Sequence, residues 1–149
     1  MTTLLVSTRR RQSEHLARRL LAGALACAVG CATVDTAVVA NPGAEFNLAL
    51  GKTAALSGTA YRITFNRVTE DSRCAVDVQC VWAGDAKIEL IVSRSTAPAN
   101  IVLVGLTPPN NEVTSGDVRI RFVALAPAAR STEPPASRAY VARLTVLNP

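Results

Sequence analysis

Past residue 45 the chain alternates. Phe46, Leu48 and Leu50 are separated by Asn47 and Ala49, and Tyr61, Ile63 and Phe65 by Arg62 and Thr64. Ala86, Ile88, Leu90 and Val92 repeat the pattern around Lys87, Glu89 and Ile91. Val118, Ile120 and Phe122 repeat it around Arg119 and Arg121, and Tyr140, Ala142, Leu144 and Val146 around Val141, Arg143 and Thr145. A period of two sends every second side chain to the same face of a strand, so each segment has a core side and a solvent side. No stretch past residue 32 carries a ten-residue stripe at helical spacing. Thr53–Leu56 reads as a further strand, and residues 101–106 as a shorter continuous apolar run. Turn signals fall between these segments: Ser57-Gly58, Pro98, Pro108-Pro109-Asn110-Asn111, Ser115-Gly116-Asp117 and Pro134-Pro135. Six or seven short strands over about 100 residues predict an all-β domain at 45–149, a small antiparallel β-sandwich of immunoglobulin-like size. A small closed barrel is the alternative.

The N-terminal region obeys different rules. Arg9, Arg10, Arg11, Arg18 and Arg19 precede an apolar run, LLAGALACAVG, at residues 20–30. That run is far short of the roughly 20 residues a spanning helix needs, so residues 1–31 are expected to be an export signal, not an anchor helix. Its end, Ala28-Val29-Gly30-Cys31, resembles a bacterial lipobox, with Cys31 as the lipid-modified residue. The competing reading is plain secretion with cleavage near Ala32 or Ala40. On the first reading the membrane is a partner through lipid on Cys31, and outer-membrane delivery to the periplasmic face is expected. Residues 32–44, with small residues and a Pro-Gly break, read as a tether; an extra strand built on Ala37-Val38-Val39 is the alternative.

Removing the signal changes what the composition permits. The whole chain carries +5, but five arginines and Glu14 leave with the leader. Eleven basic and ten acidic residues remain, so the mature net charge is about +1 and no basic patch argues for nucleic acid. His15, the single histidine, also lies in the leader. The mature domain therefore has no Ser-His-Asp or Cys-His nucleophile, no imidazole acid–base group and no His-ligated metal site. No cofactor and no enzymatic activity are expected.

Residues 71–85, DSRCAVDVQCVWAGD, concentrate what chemistry is left. Cys74 and Cys80 face an oxidising compartment after export and are expected to pair. The spacing is not the C-x-x-C of exchange-active thiols. Trp82, the only tryptophan, is expected to pack over the disulfide or cap the sandwich end. The rival reading makes Asp71, Arg73, Trp82 and Asp85 a binding surface, since Trp and Arg are common interface anchors. Glu70, Asp71, Asp77, Asp85 and Glu89 form an acidic cluster, and the alternative function is a secreted calcium-binding β module using it, with Asp71, Asp77 and Asp85 as metal candidates. The same three aspartates are the only grouped carboxylates for glycosidase-type acid–base chemistry.

The segment also resembles a motif near D-S-R-C-P-x-x-V-x-C-x-W-x-G-x-A, carried by a family of small bacterial secreted proteins and lipoproteins. Asp71-Ser72-Arg73-Cys74, Val78, Cys80, Trp82, Gly84 and Ala86 match it; Ala75 stands where the family has proline. The resemblance implies a β-rich envelope protein with no catalytic residues to carry over. The expectation is a lipid-anchored, non-enzymatic binding or structural module with an unidentified protein or envelope partner.

Overall fold

The computed structural model describes residues 37–148. The expected signal at 1–31, its Cys31, and residues 32–36 lie outside them. The chain runs β1 (Val38–Ala40), β2 (Glu45–Ala49), β3 (Thr53–Leu56), β4 (Tyr61–Asp71), β5 (Ala86–Arg94), β6 (Ala97–Gly105), β7 (Glu112–Ser115), β8 (Val118–Ala126) and β9 (Val141–Asn148). One turn of 3-10 helix, Pro135–Ser137, precedes β9. There is no α-helix among the described residues.

The strands form two sheets, β1-β3-β4-β5-β6 and β2-β9-β8-β7. Every pairing is antiparallel except β1 with β3. The alternation sets which face of each sheet turns inward. Ile63 and Phe65 of β4, Ile88, Leu90 and Val92 of β5, Ile120 and Phe122 of β8, and Leu144 and Val146 of β9 are all buried in one core. Between them Arg121 is exposed and Thr64 half-buried, while Thr145 is buried. This is the β-sandwich that the period of two predicts.

Two elements depart from the sequence reading. Within the described part of the tether expected over 32–44, the alternative strand is found instead: Val38–Ala40 lies in parallel register with Ala54–Leu56, and Ala40 is fully buried. The Ala40 carbonyl also accepts from Ser57 N at 2.8 Å. A three-residue parallel edge strand is too short to show alternation, so only its small apolar residues hinted at it. β7 gave even less signal, because Glu112–Ser115 is polar and owes its place to its hairpin with β8. The turn joining them is the expected Ser115-Gly116-Asp117.

β4 is the longest strand, at eleven residues. Register shifts against β5 between Phe65 and Arg67 and between Val68 and Glu70 mark two bulges. Bulges bend a strand and re-aim its side chains. Past the second one, Asp71 ends the strand with its side chain fully enclosed.

β1 being part of the fold has a simple consequence. Ala40→Asp buries an unpaired carboxylate and lowers unfolding stability by about 3 kcal/mol or more. Val39→Asp, at the exposed neighbouring position, shifts it by no more than about 0.5 kcal/mol. Urea unfolding of the two variants reads the difference, and equal effects would restore residues 37–40 to a tether.

Candidate functional site

Beyond β4 and β5 the hairpin arms stay paired for one more step. Ser72 N donates to Asp85 O at 2.8 Å and Cys74 N to Ala83 O at 2.9 Å. Gly84 makes that crossing possible. Its φ is +69°, and a Cβ placed there would sit 1.8 Å from the Ser72 carbonyl oxygen. No side chain fits in that gap, and the left-handed backbone also favours glycine. The Cys74–Cys80 disulfide then closes the loop, with 5.9 Å between the two Cα atoms. Val78 N donates back to Ala75 O at 3.2 Å inside the ring. The result is a knuckle on the end of the β4–β5 hairpin.

The knuckle is tied down by Asp71. Arg73 grips it with two nitrogens, Nε to Oδ1 at 2.7 Å and Nη2 to Oδ2 at 2.9 Å. Arg138 Nη1 and the Tyr140 hydroxyl each donate to Oδ2 at 2.8 Å. Arg73 also donates to the carbonyls of Leu125 and Pro127. The side chains of Asp71, Arg138 and Arg73 are 0%, 4% and 14% exposed. Burial alone would raise the Asp71 pKa. The hydrogen bonds from Arg73 and Tyr140 and the charge of Arg73 outweigh it and bring the carboxyl down from 3.8 to about 2. Burial and the hydrogen bond to Asp71 push the Tyr140 phenol up.

The other carboxylates are each occupied elsewhere. Asp77 accepts from Ser131 N and Oγ, which lowers its pKa and pins the knuckle to the β8–β9 connection. Val76 N adds a bond to Ala129 O at 2.9 Å. Asp85 Oδ1 accepts from the N–H groups of Ala86, Leu106 and Thr107 and from the Thr107 hydroxyl, so it caps the turn after β6. Glu70 pairs with Lys87, and Glu89 with Arg67 and Asn66. The five residues of the acidic cluster thus do not converge. Among the described residues no group of three or more His, Cys, Asp or Glu is placed to share a metal ion. Asp71, held ionised by two guanidiniums, also lacks the raised pKa a glycosidase acid needs.

Of the four residues expected on a binding surface, the structure exposes Trp82 and turns Asp71 and Arg73 inward; Asp85 is half-buried in its cap. Trp82 as a lid over the disulfide is corrected. Its side chain faces solvent at 83% exposure, beside Val81 at 91%. Val76 and Val78, inside the disulfide ring, are 63% and 49% exposed. Disulfide, glycine crossing and Asp71 network hold the loop without any help from the tryptophan. Arg138 and Tyr140 were missed as site residues. Tyr140 was read only as one more core position, and nothing local to Arg138 points 67 residues back to Asp71. The adjacent apolar pair Val81-Trp82 in a polar loop was the one available signal for the exposed tip.

Comparison with family models, with curated proteins and with solved structures finds no match for this chain.

The network sets an acid limit on stability. A carboxyl lowered from 3.8 to about 2 contributes about 2 kcal/mol at neutral pH, present above the unfolded pKa and lost as pH falls from about 4 to about 2. Asp71→Asn removes that acid slope and costs about 3–5 kcal/mol at pH 7, because two buried guanidiniums lose their counter-charge. Denaturant midpoints across pH 2–7 for both proteins measure it. Separately, replacing Cys74 and Cys80 by serine frees a short loop and costs about 2 kcal/mol. Hydrogen exchange should then rise at residues 75–79 and stay slow in β5 and β8; faster exchange throughout would mean that the bridge holds more than the knuckle.

Proposed function

We propose that this protein is an exported, lipid-anchored envelope module whose β-sandwich presents the knuckle tip to a protein partner, without catalysis. The observation that carries the reading is the exposed Val81-Trp82 pair on a loop fixed by a disulfide and a buried ion network. Contiguous exposed apolar surface on a soluble domain marks an interaction site more often than it marks nothing. A tryptophan that keeps a rigid loop in no visible way is well suited to anchor an interface, since little ordering entropy is lost on docking.

The lipobox-like Ala28-Val29-Gly30-Cys31 and the motif resemblance support export and anchoring. The absence of histidine past residue 15 and the internal commitments of the carboxylates support a role in binding. In a Gram-negative cell the anchor would place the domain on the periplasmic face of the outer membrane.

Intact mass and membrane fractionation test the anchor. The wild-type protein should carry diacylglycerol and an N-acyl chain and pellet with membranes. Cys31→Ser should be unlipidated and soluble. An unchanged mass and distribution in that variant would leave plain secretion. For the tip, Trp82→Ser and Val81→Ser should alter stability by no more than about 0.5 kcal/mol. A photo-crosslinking residue at position 82 should give a discrete adduct in the envelope that a probe at Thr59, in a different exposed turn, does not. Identical adducts at both positions would remove the knuckle from the interface.

A further inference from the structure

Three of the four sheet edges are guarded. β1 is three residues long, and β2 and β7 carry Glu45 and Glu112, each paired with arginine on the neighbouring strand. Short length and charge are common means of keeping an edge strand from pairing with another chain. β6, at the far edge of the five-stranded sheet from β1, has neither. It runs nine residues, and the chain holds no charged residue from Ser95 to Asn111. Ile101 and Leu103 face solvent from it.

The backbone of β6 fixes where another strand pairs. Leu106 N donates to Ala86 O at 2.8 Å, and Gly105 N turns the other way, to Asn110 O at 2.9 Å. Antiparallel ladders alternate residue by residue. Asn100, Val102 and Val104 therefore bond to β5, and the N–H and C=O groups of Ile101 and Leu103 point outward. The Asn110 turn closes the edge at Gly105. Pro98, which has no N–H, and the register shift between Val92 and Arg94 interrupt it at the other end. The open stretch is residues 100–104, and its midpoint is Val102.

We propose that two copies of this chain pair antiparallel through β6 about a twofold axis at Val102, joining their five-stranded sheets. Ile101 of each copy then faces Leu103 of the other. Two N–H donors from each copy make four hydrogen bonds, and no outward group of the open stretch is left over. Moving the register two residues either way sets Leu103 against Ala99, beside the interruption, or Ile101 against Gly105, whose N–H is taken. On the outer face Ile91 already lies beside Ile101 in register, so the apolar row continues onto Leu103 of the second copy. Cross-strand apolar pairs of this kind stabilise a sheet, and the uncharged stretch brings no like charges together. The pairing is closed, since it uses β6 of both copies and leaves neither open to a third. Five strand residues a side make a small interface, so the dimer is reversible. It stands whether or not the knuckle tip docks a partner.

Cysteine crosslinking reads the register. At the axis the two Val102 residues form a non-hydrogen-bonded pair with Cα atoms about 4.5 Å apart, within disulfide range. The two Asn100 residues lie four positions apart along the ladder, about 14 Å, and are out of range. The full chain carrying Val102→Cys, mildly oxidised, should give a covalent dimer that reduction splits. Asn100→Cys, with the same native cysteines, should give at least about tenfold less. Ile101→Lys added to Val102→Cys should remove the dimer, because it sets two like charges on one face of the pairing. It should leave the melting temperature unchanged, since Ile101 is exposed. Sedimentation equilibrium checks the chain without added cysteines: its mean mass should rise with concentration, and Ile101→Lys should hold it at the monomer. The proposal is overturned by no dimer from Val102→Cys, equal dimer from both cysteine positions, or a dimer that survives Ile101→Lys. A Val102→Cys adduct with another protein in place of the dimer, or a mean mass that stays at the monomer, overturns it equally.

Discussion

The Asp71 carboxylate accepts from Arg73, Arg138 and Tyr140 at once. Arg73 belongs to the knuckle, Arg138 to the long β8–β9 connection, and Tyr140 to the entry of β9. Through Arg73 the same knot reaches the carbonyls at the end of β8 and just past it. The two longest irregular segments of the domain are stitched at one end of the sandwich by a single side chain. Their backbone polar groups need partners as much as any strand does, and the guanidiniums supply them where no ladder runs. A buried ion cluster of this kind is weak evidence of net stability, since desolvation offsets much of the attraction. Its effect is to specify which loop conformation the chain adopts. Removing its centre leaves two cations with nothing to face.

That knot explains why the knuckle can expose apolar side chains. A loop normally pays for its order by packing its own large residues inward. Here the order comes from elsewhere: from Gly84, whose missing side chain lets the arms cross, from the disulfide, and from Asp77 bound to Ser131. Asp71, Ser72, Arg73, Cys74, Cys80, Gly84 and Ala86 each have a structural task. Trp82 has none in the isolated domain. A residue of that size and hydrophobicity, carried on a rigid platform and left in water, is what the proposed docking role uses.

The sandwich was legible in the sequence because alternation is a local property and each strand carried it within five to nine residues. Tyr61 through Phe65, Ala86 through Val92 and Val118 through Phe122 could be assigned inward faces without knowing the sheet order. β1 was legible only as an alternative to a tether and β7 not at all, for the converse reason: three or four residues hold too few alternations, and their pairing partners decide them. The disulfide was legible from two cysteines in a segment whose leader predicts export. The site was harder. Asp71 and Arg73 look like surface charges in a linear reading, and only their contact with Arg138 and Tyr140, far along the chain, shows that they are interior. Trp82, two residues past Cys80, predicts a lid over the disulfide, yet it faces solvent at 83% exposure because the disulfide, Gly84 and the Asp71 network already order the loop.

The two outer faces of the sandwich differ in a way that bears on orientation. On the β2-β9-β8-β7 sheet, Arg119 and Arg121 face Glu112, and Arg143 faces Glu45. Such exposed pairs add little stability, but a mixed-charge ladder stays hydrated and resists non-specific docking. None of the exposed large apolar residues lies in a strand of that sheet. They lie instead on the knuckle, on β1 (Val39), just past β2 (Leu50) and on β6, where Ile101 and Leu103 face solvent from the edge strand. Lys87 pairs with Gly105 in register, so β6 ends beside the base of the knuckle and Leu103 is two residues from that end. In a single copy, the docking proposed for Trp82 can extend along β6, a nine-residue edge strand that carries Ile101 and Leu103 and leaves backbone groups to pair.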